Sequence, residues 1–427
     1  MSHQSFRFCS HCFLVIAGLL LATSNAWSAS YKVLYNFDRV SNNPSSGLIT
    51  DSAGNAYGTT LHGGHNNFGT VYELSPTTGY HLLYAFTFDG PGGIWPQGNL
   101  VFDSEGNLYG TTQSGGANKA ACSGRGCGVV FKLSPSQNRG LWTETVLYNF
   151  CAQESCADGA NPWAGVIFDS GGNLYGTTKS GGNQICQEQG PGCGTVFELE
   201  SSESGWSETV LYTFTGTSRD GYYPLGGLTF DTAGSLYGTA STGGRGAGSA
   251  FRLSPSETGW IFDVIYGFEQ FSRQDGNTPD AAMIFDTAEN LYGTTSGGGV
   301  FGFGTVFELT PGLGDWTETI LYNFGGGNDG SQPESALVFD PLGNLYGTTF
   351  AGGNGGCNGL GCGTVFMLSS TQTGEWTEHL FRFPVSGMLG TQPTTPVLLD
   401  SAGNVYGTTT MGGHPDTVGG VAFKIVM

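Results

Sequence analysis

Asp103-Ser104-Glu105-Gly106-Asn107-Leu108-Tyr109-Gly110-Thr111-Thr112 decides the fold, because near-copies of it punctuate the whole chain. Its Tyr-Gly-Thr core recurs at Tyr57, Tyr109, Tyr175, Tyr237, Tyr292, Tyr346 and Tyr406, at intervals of 52 to 66 residues. Units repeated at such spacing bury their apolar faces only by packing on their neighbours. No linker interrupts the series, so residues 29–427 read as one repeat domain.

Around the second copy the unit resolves into four strands. Residues 99–103 are short and apolar and end at the turn Ser104-Glu105-Gly106-Asn107; residues 108–112 run back from it as a tight hairpin. Gly106 permits positive φ, and Asp103 and Asn107 can bond the turn backbone. Glu289 stands where the other copies have Gly, so a somewhat different turn is expected there. A Gly-rich loop (114–126) leads to a third strand, 129–133, closed by Ser134-Pro135, since Pro cannot continue a central ladder. Residues 142–150 form a β-prone fourth strand.

Seven such units predict an all-β protein, a seven-bladed β-propeller with four antiparallel strands per blade. The ends agree. Residues 31–37, Tyr-Lys-Val-Leu-Tyr-Asn-Phe, match a fourth strand, whereas the last copy holds only three, at 397–399, 405–409 and 421–426. The N-terminal strand should therefore complete the last blade and close the ring, leaving no open edge. With the strand before the Asp turn innermost, the Asp turns share one face. The inter-blade connections and Gly-Gly loops share the other, which carries nearly all the length variation.

Composition bounds the function. The formal charge of −20 repels phosphate backbones, so nucleic acid is not an expected partner. Residues 1–28 read as a secretory signal peptide, with an apolar run from Cys12 to Ala22 and cleavage after Ala26 or Ser28; a retained anchor is the alternative. Export without further membrane insertion, to the periplasm, cell surface or medium, and a monomeric state are expected. Eight cysteines remain, in four close pairs: Cys122/Cys127, Cys151/Cys156, Cys186/Cys193 and Cys357/Cys362. Their spacing fits local disulfides in an oxidising compartment better than zinc sites.

Phe-Asp-x-x-Gly-Asn-Leu-Tyr-Gly-Thr-Thr, then Gly-Gly, then Gly-Thr-Val-Phe-Glu-Leu, resembles the GloVer tandem repeat over residues 31–427. The resemblance implies an exported bacterial β-propeller of the kind borne by surface proteins with a choice of anchors. It brings no activity with it. The Asp-x-x-Gly-Asn-Leu hairpin is more loosely similar to NHL, SMP-30-like and virginiamycin-B-lyase propellers, but none of their metal or catalytic residues matches here.

The seven turn aspartates, Asp51, Asp103, Asp169, Asp231, Asp286, Asp340 and Asp400, recur too regularly for a ligand set and read as turn formers. Trp142, Trp206, Trp260, Trp316 and Trp376 read as packing residues for the same reason. What breaks the repeat is more informative. A unit Asp-Gly-x-x-Pro places Asp158, Asp220, Asp275 and Asp329 in the loops before the innermost strands, where carboxylates could bind a cation or act as an acid/base pair. Trp95, Trp163, Tyr222 and Tyr223 fall in the same loops of three consecutive blades, an arc suited to stacking on sugars. His62, His65 and His414 are a weaker candidate for metal or base chemistry. No cofactor or metal site is expected. Two readings compete: a recognition or scaffold propeller that binds a glycan or protein on the loop face, and a polysaccharide lyase or glycoside hydrolase using carboxylates at the channel mouth.

Overall fold

The computed structural model describes residues 30–427 apart from 39–40, 91, 137–140, 183–185, 187–191, 204, 218, 270–271, 273, 372–373 and 414–418. The expected signal peptide and His414 lie outside the described residues. In blade three the strands are Ile167–Phe168, Leu174–Thr178, Thr195–Ser202 and Gly205–Thr213, paired antiparallel in chain order. Seven four-stranded sheets of this kind form the ring, and no α-helix occurs among the described residues. Ser30–Asn36 is the fourth strand of blade seven, with Ser30 opposite Val426 and Asn36 opposite Val421. The chain thus closes its own ring, as its two ends predict. The innermost strands are shorter than expected: Val101–Phe102 pairs with the second strand, while the residues before it bond to the preceding blade, where Ser45 Oγ donates to the Pro96 carbonyl and Gly47 N–H to Asn99 Oδ1.

A close approach inside each blade explains the Gly of Tyr-Gly-Thr. A Cβ on Gly110, Gly176 or Gly238 would stand 2.5–2.7 Å from the ring of Phe131, Phe197 or Phe251 in the third strand. That ring meets, edge to face, a Phe that follows the outer strand of the preceding blade. The centroid distances are 5.2 Å for Phe86–Phe131, 5.1 Å for Phe150–Phe197 and 5.2 Å for Phe324–Phe366. All these rings are fully buried. Each is worth roughly 2–3 kcal/mol of apolar burial, so the series is a main adhesive between blades. In blade one Tyr72 takes the place of the Phe, against Phe37 at 5.0 Å, and its hydroxyl is buried without a partner.

The Tyr and Thr of the same core look outward to other elements. Tyr109 donates to Asp103 Oδ2 at 3.0 Å, while Asp103 Oδ1 accepts the N–H groups of Glu105 and Asn107. The pattern holds in all seven turns, which makes these aspartates structural. Burial opposes the ionisation of Asp400, but the bonds from Asn404, Tyr406 and the backbone outweigh it and hold its carboxyl at about 2. Glu289 does not reshape its turn. It adopts φ +65°, and Asp286 still accepts from Ala288 and Asn290, so the bonding pattern overrides the strain of a side chain there. The Thr hydroxyl crosses to the next blade: Thr111 reaches the Ala164 carbonyl at 2.7 Å, Thr239 that of Ala281 at 3.0 Å, and Thr348 that of Thr395 at 3.0 Å. The tryptophans pack as their periodicity suggests, Trp206 against Tyr109 and Trp316 against Tyr237.

Outer strands meet through shared protons. Tyr84, Tyr266 and Tyr322 donate to Glu144, Glu318 and Glu378 of the following blade at 2.7–2.8 Å. Burial, and then the charge of Asp158, push Glu208 up to about 7. Burial and the charge of Asp329 push Glu378 up to about 8, and burial and Asp275 raise Glu318 likewise.

Three outcomes follow from this packing. Tyr72→Phe should raise stability by about 1 kcal/mol, because it removes an unpaired buried hydroxyl while keeping the ring; a denaturant titration showing a loss would contradict that account. Removing residues 30–36 should lower the melting temperature and broaden the transition, since Val421–Val426 becomes a bare edge; melting like that of the intact domain would overturn the closure argument. The third concerns pH. An unfolded chain releases its Glu protons near 4.3, whereas the folded ring holds those of Glu208 and Glu378 to about 7 and 8. Their stabilisation is complete below the unfolded value and is lost as pH rises through the folded ones. The lowered turn aspartates work oppositely and fail only in stronger acid. Calorimetry should find a higher melting temperature at pH 5.5 than at pH 8.5, and a flat or inverted profile would refute the shared protons.

Candidate functional site at the channel mouth

Each inter-blade loop ends in a residue with left-handed backbone followed by Pro. The seven are Asn43, Trp95, Asn161, Tyr223, Thr278, Gln332 and Gln392, with φ between +56° and +63°. The N–H of each donates to a carbonyl of the preceding blade, for instance Trp95 to Phe68 at 2.8 Å and Asn161 to Cys127 at 2.7 Å. The following Pro lies against a Gly of that blade; a Cβ on Gly69 or Gly194 would stand 2.5 or 2.7 Å from the Cδ of Pro96 or Pro224. Left-handed backbone costs a residue with a side chain about 1–2 kcal/mol, offset here by the bond between blades. The latch fixes the loop and leaves the side chain free to vary. Three of the four disulfides reinforce it, since Cys127, Cys193 and Cys362 supply the accepting carbonyls. The fourth, Cys151–Cys156, folds the loop that leads into the third latch. All four join nearest neighbours in sequence.

Beyond the latch the seven chains converge on the axis, where they enclose a cavity of about 680 Å³ at the loop-face end of the channel. The residue after each Pro forms its rim: Ser45, Gln97, Trp163, Leu225, Asp280, Glu334 and Thr394. No two neighbours match. Asp280 accepts a bond from Ser296 Oγ at 3.1 Å through Oδ2, while its Oδ1 is buried without a partner. Burial pushes its carboxyl up to about 6, against the pull of Ser296 and Lys179. Burial, and then the charge of Asp280, push Glu334 up to about 7. Beside the rim, the Lys179 ammonium lies 4.6 Å from the Trp163 ring centre and 5.7 Å from that of Tyr223. Burial lowers Lys179, partly restored by Asp280. The mouth therefore has an aromatic, cationic side and an acidic side.

The residues singled out in the sequence share the loop face but divide in role. Trp163 lines the cavity, and Tyr223 adjoins it through Lys179. Trp95 sits at a latch further out, its ring 5.3 Å from the Arg125 guanidinium. Tyr222 is buried among Phe214, Cys186 and Cys193. Asp158, Asp220, Asp275 and Asp329 tie their own loops. Asp158 accepts from Tyr148 and Ala152 N, Asp220 from Tyr212 and Thr215 N, Asp275 from Glu269 N, and Asp329 from Tyr322 and Gly325 N. None of the four lines the cavity. His65 is exposed in its loop. Asp280, Glu334 and Lys179 were passed over in the sequence, although aligning the copies on the seven latch prolines puts both carboxylates at a single variable position.

A family profile described as a Gloeobacter/Verrucomicrobia repeat matches residues 23–248, 123–283 and 231–427. No curated protein matches the chain. Among solved structures, virginiamycin B lyase from Staphylococcus aureus aligns with a TM-score of 0.56 at 12% identity, covering 93% of this chain and 99% of that one. A putative oxidoreductase (glucose dehydrogenase) from Thermus thermophilus aligns at 0.43 and 13%, covering 93% and 100%. A protein from Lactobacillus plantarum aligns at 0.47 and 12%, covering 90% and 98%. At these identities the likeness to the lyase is one of fold. The profile spans nearly the whole chain, and the protein belongs to the Gloeobacter/Verrucomicrobia repeat family.

Proposed function

We propose that this is an exported recognition propeller that binds a glycan in the mouth of its central channel. One observation carries the reading: walls built from seven near-identical units hold a rim on which every blade presents a different side chain. Repetition that only stabilised a ring would have no use for such a rim. The mixture of an aromatic ring, amides, a hydroxyl and carboxyls suits saccharides, whose C–H faces pack on rings and whose hydroxyls donate to acceptors. A folded peptide would need a broader apolar seat. Closed disulfides fit an oxidising, extracellular setting. Asp158, Asp220, Asp275 and Asp329 hold the loops in register for this site, and Trp95 and Tyr222 support its outer wall.

A second reading has its own support, because two carboxyls raised towards neutrality at a cavity could exchange protons with a bound substrate. That reading makes the protein a hydrolase or lyase. A glycan panel scored for both binding and released products separates the two. Trp163→Ala should weaken binding to the panel's best ligand at least about tenfold, or 1.4 kcal/mol, without lowering the melting temperature. A large fall in stability would return Trp163 to the core, and product formation abolished by Glu334→Gln would establish the enzyme.

A further inference from the structure

Glu144, Glu208, Asp275, Glu318 and Glu378 each keep a buried carboxyl oxygen without a partner away from the cavity, whereas that of Asp280 belongs to a residue lining the open volume of the mouth. Turn aspartates take up three to five bonds each, and the loop aspartates accept from the backbone of their own loops. Asp280 has one bond, from Ser296, and a buried Oδ1 with none. Glu334 stands beside it on the next blade. No ion pair among the described residues includes either carboxyl. Lys179, the cation that acts on Asp280, is engaged with the rings of Trp163 and Tyr223. Gln97 and Gln392, which line the same cavity from blades two and seven, each carry a further buried oxygen without a partner. The lining thus offers acceptors from three directions and few donors.

We propose that the mouth selects a glycan bearing a free primary amine, whose ammonium group is received between Asp280 and Glu334. This rests on the reading of the mouth as a glycan site. An ammonium brings three N–H donors and a positive charge, so it can bond Asp280 Oδ1 and Glu334 together and offset their burial. A neutral hydroxyl supplies one donor and leaves the charge uncompensated. A carboxylated sugar meets like charge. Lys179 remains over the aromatic side, so the ligand spans the mouth with its ring plane towards Trp163 and its amine towards the acidic pair. The charged groups acting on the pair are Lys179 and the two carboxyls themselves. Binding the ammonium displaces the proton that the pair holds.

Calorimetric titration of the full chain with the tetramer of β-1,4-linked glucosamine, and with its fully N-acetylated counterpart, tests this at pH 6.5. The amine form should bind at least tenfold tighter. Asp280→Asn and Glu334→Gln, separately and together, should erase that preference, bringing the two affinities within about twofold of each other. Glu105→Gln, on the opposite face, should preserve the preference, which separates a seated amine from general attraction to an acidic protein. Trp163→Ala should weaken both oligomers. Equal binding of the two oligomers, or a preference that survives both single carboxyl variants, would overturn the amine and leave the glycan site standing. If neither oligomer binds, the amine proposal falls. If the whole glycan panel is silent as well, the reading beneath it falls too.

Discussion

A phenylalanine ring pressed onto a glycine is the contact on which the rest of the ring depends. Only a bare Cα lets the third strand's Phe lie flat enough to receive the Phe arriving from the preceding blade. Because each ring belongs to one blade and touches the next, no blade buries its own apolar surface alone. The Thr beside that glycine adds a bond to the neighbouring innermost chain, and the Tyr before it secures the turn. Three consecutive residues therefore serve three different interfaces, which accounts for their recurrence without any appeal to chemistry on a ligand.

The same logic explains what the sequence discloses. Tyr-Gly-Thr carries its geometry with it, so blade number, strand order and closure by Ser30–Asn36 were legible. Small departures were legible only in part. Blade six lacks the register shift that blade five shows, and Trp376 to Phe383 is one residue shorter than Trp316 to Phe324, a difference the sequence carries but that was not read from it. The turn at Glu289 was misjudged, because the hydrogen bonds around Asp286 count for more than the residue's own backbone preference. Trp95 and Tyr223 looked like breaks in the repeat, yet they occupy a sevenfold latch whose backbone is fixed and whose side chain is not. Asp280 and Glu334 were passed over for the converse reason. Nothing local marks a carboxylate as facing an axis when six other segments, far off in the chain, define that axis.

Buried carboxyls occur in two settings with opposite consequences. Between outer strands, Glu318 and Glu378 each meet a tyrosine and a loop aspartate, so a proton completes the group and the interface is closed. At the mouth, Asp280 and Glu334 line open volume instead, and Asp280 Oδ1 has no partner. The contrast lies in what surrounds the acid and not in the acid itself. Mild acid should tighten the body of the ring while it protonates the rim.

The pairing of Ser30 with Val426 also sets a direction. Third strands run away from the Gly-Gly loops, so Val426 and the start of the closing strand both lie at the face with the Asp turns. Any segment attached before Ser30 or after Val426 departs from the side remote from the cavity. A tether at either end, to a wall, a lipid or a further domain, would hold the propeller like a dish on a stalk with its bowl turned outward. Both ends can be fused or immobilised without shading the rim.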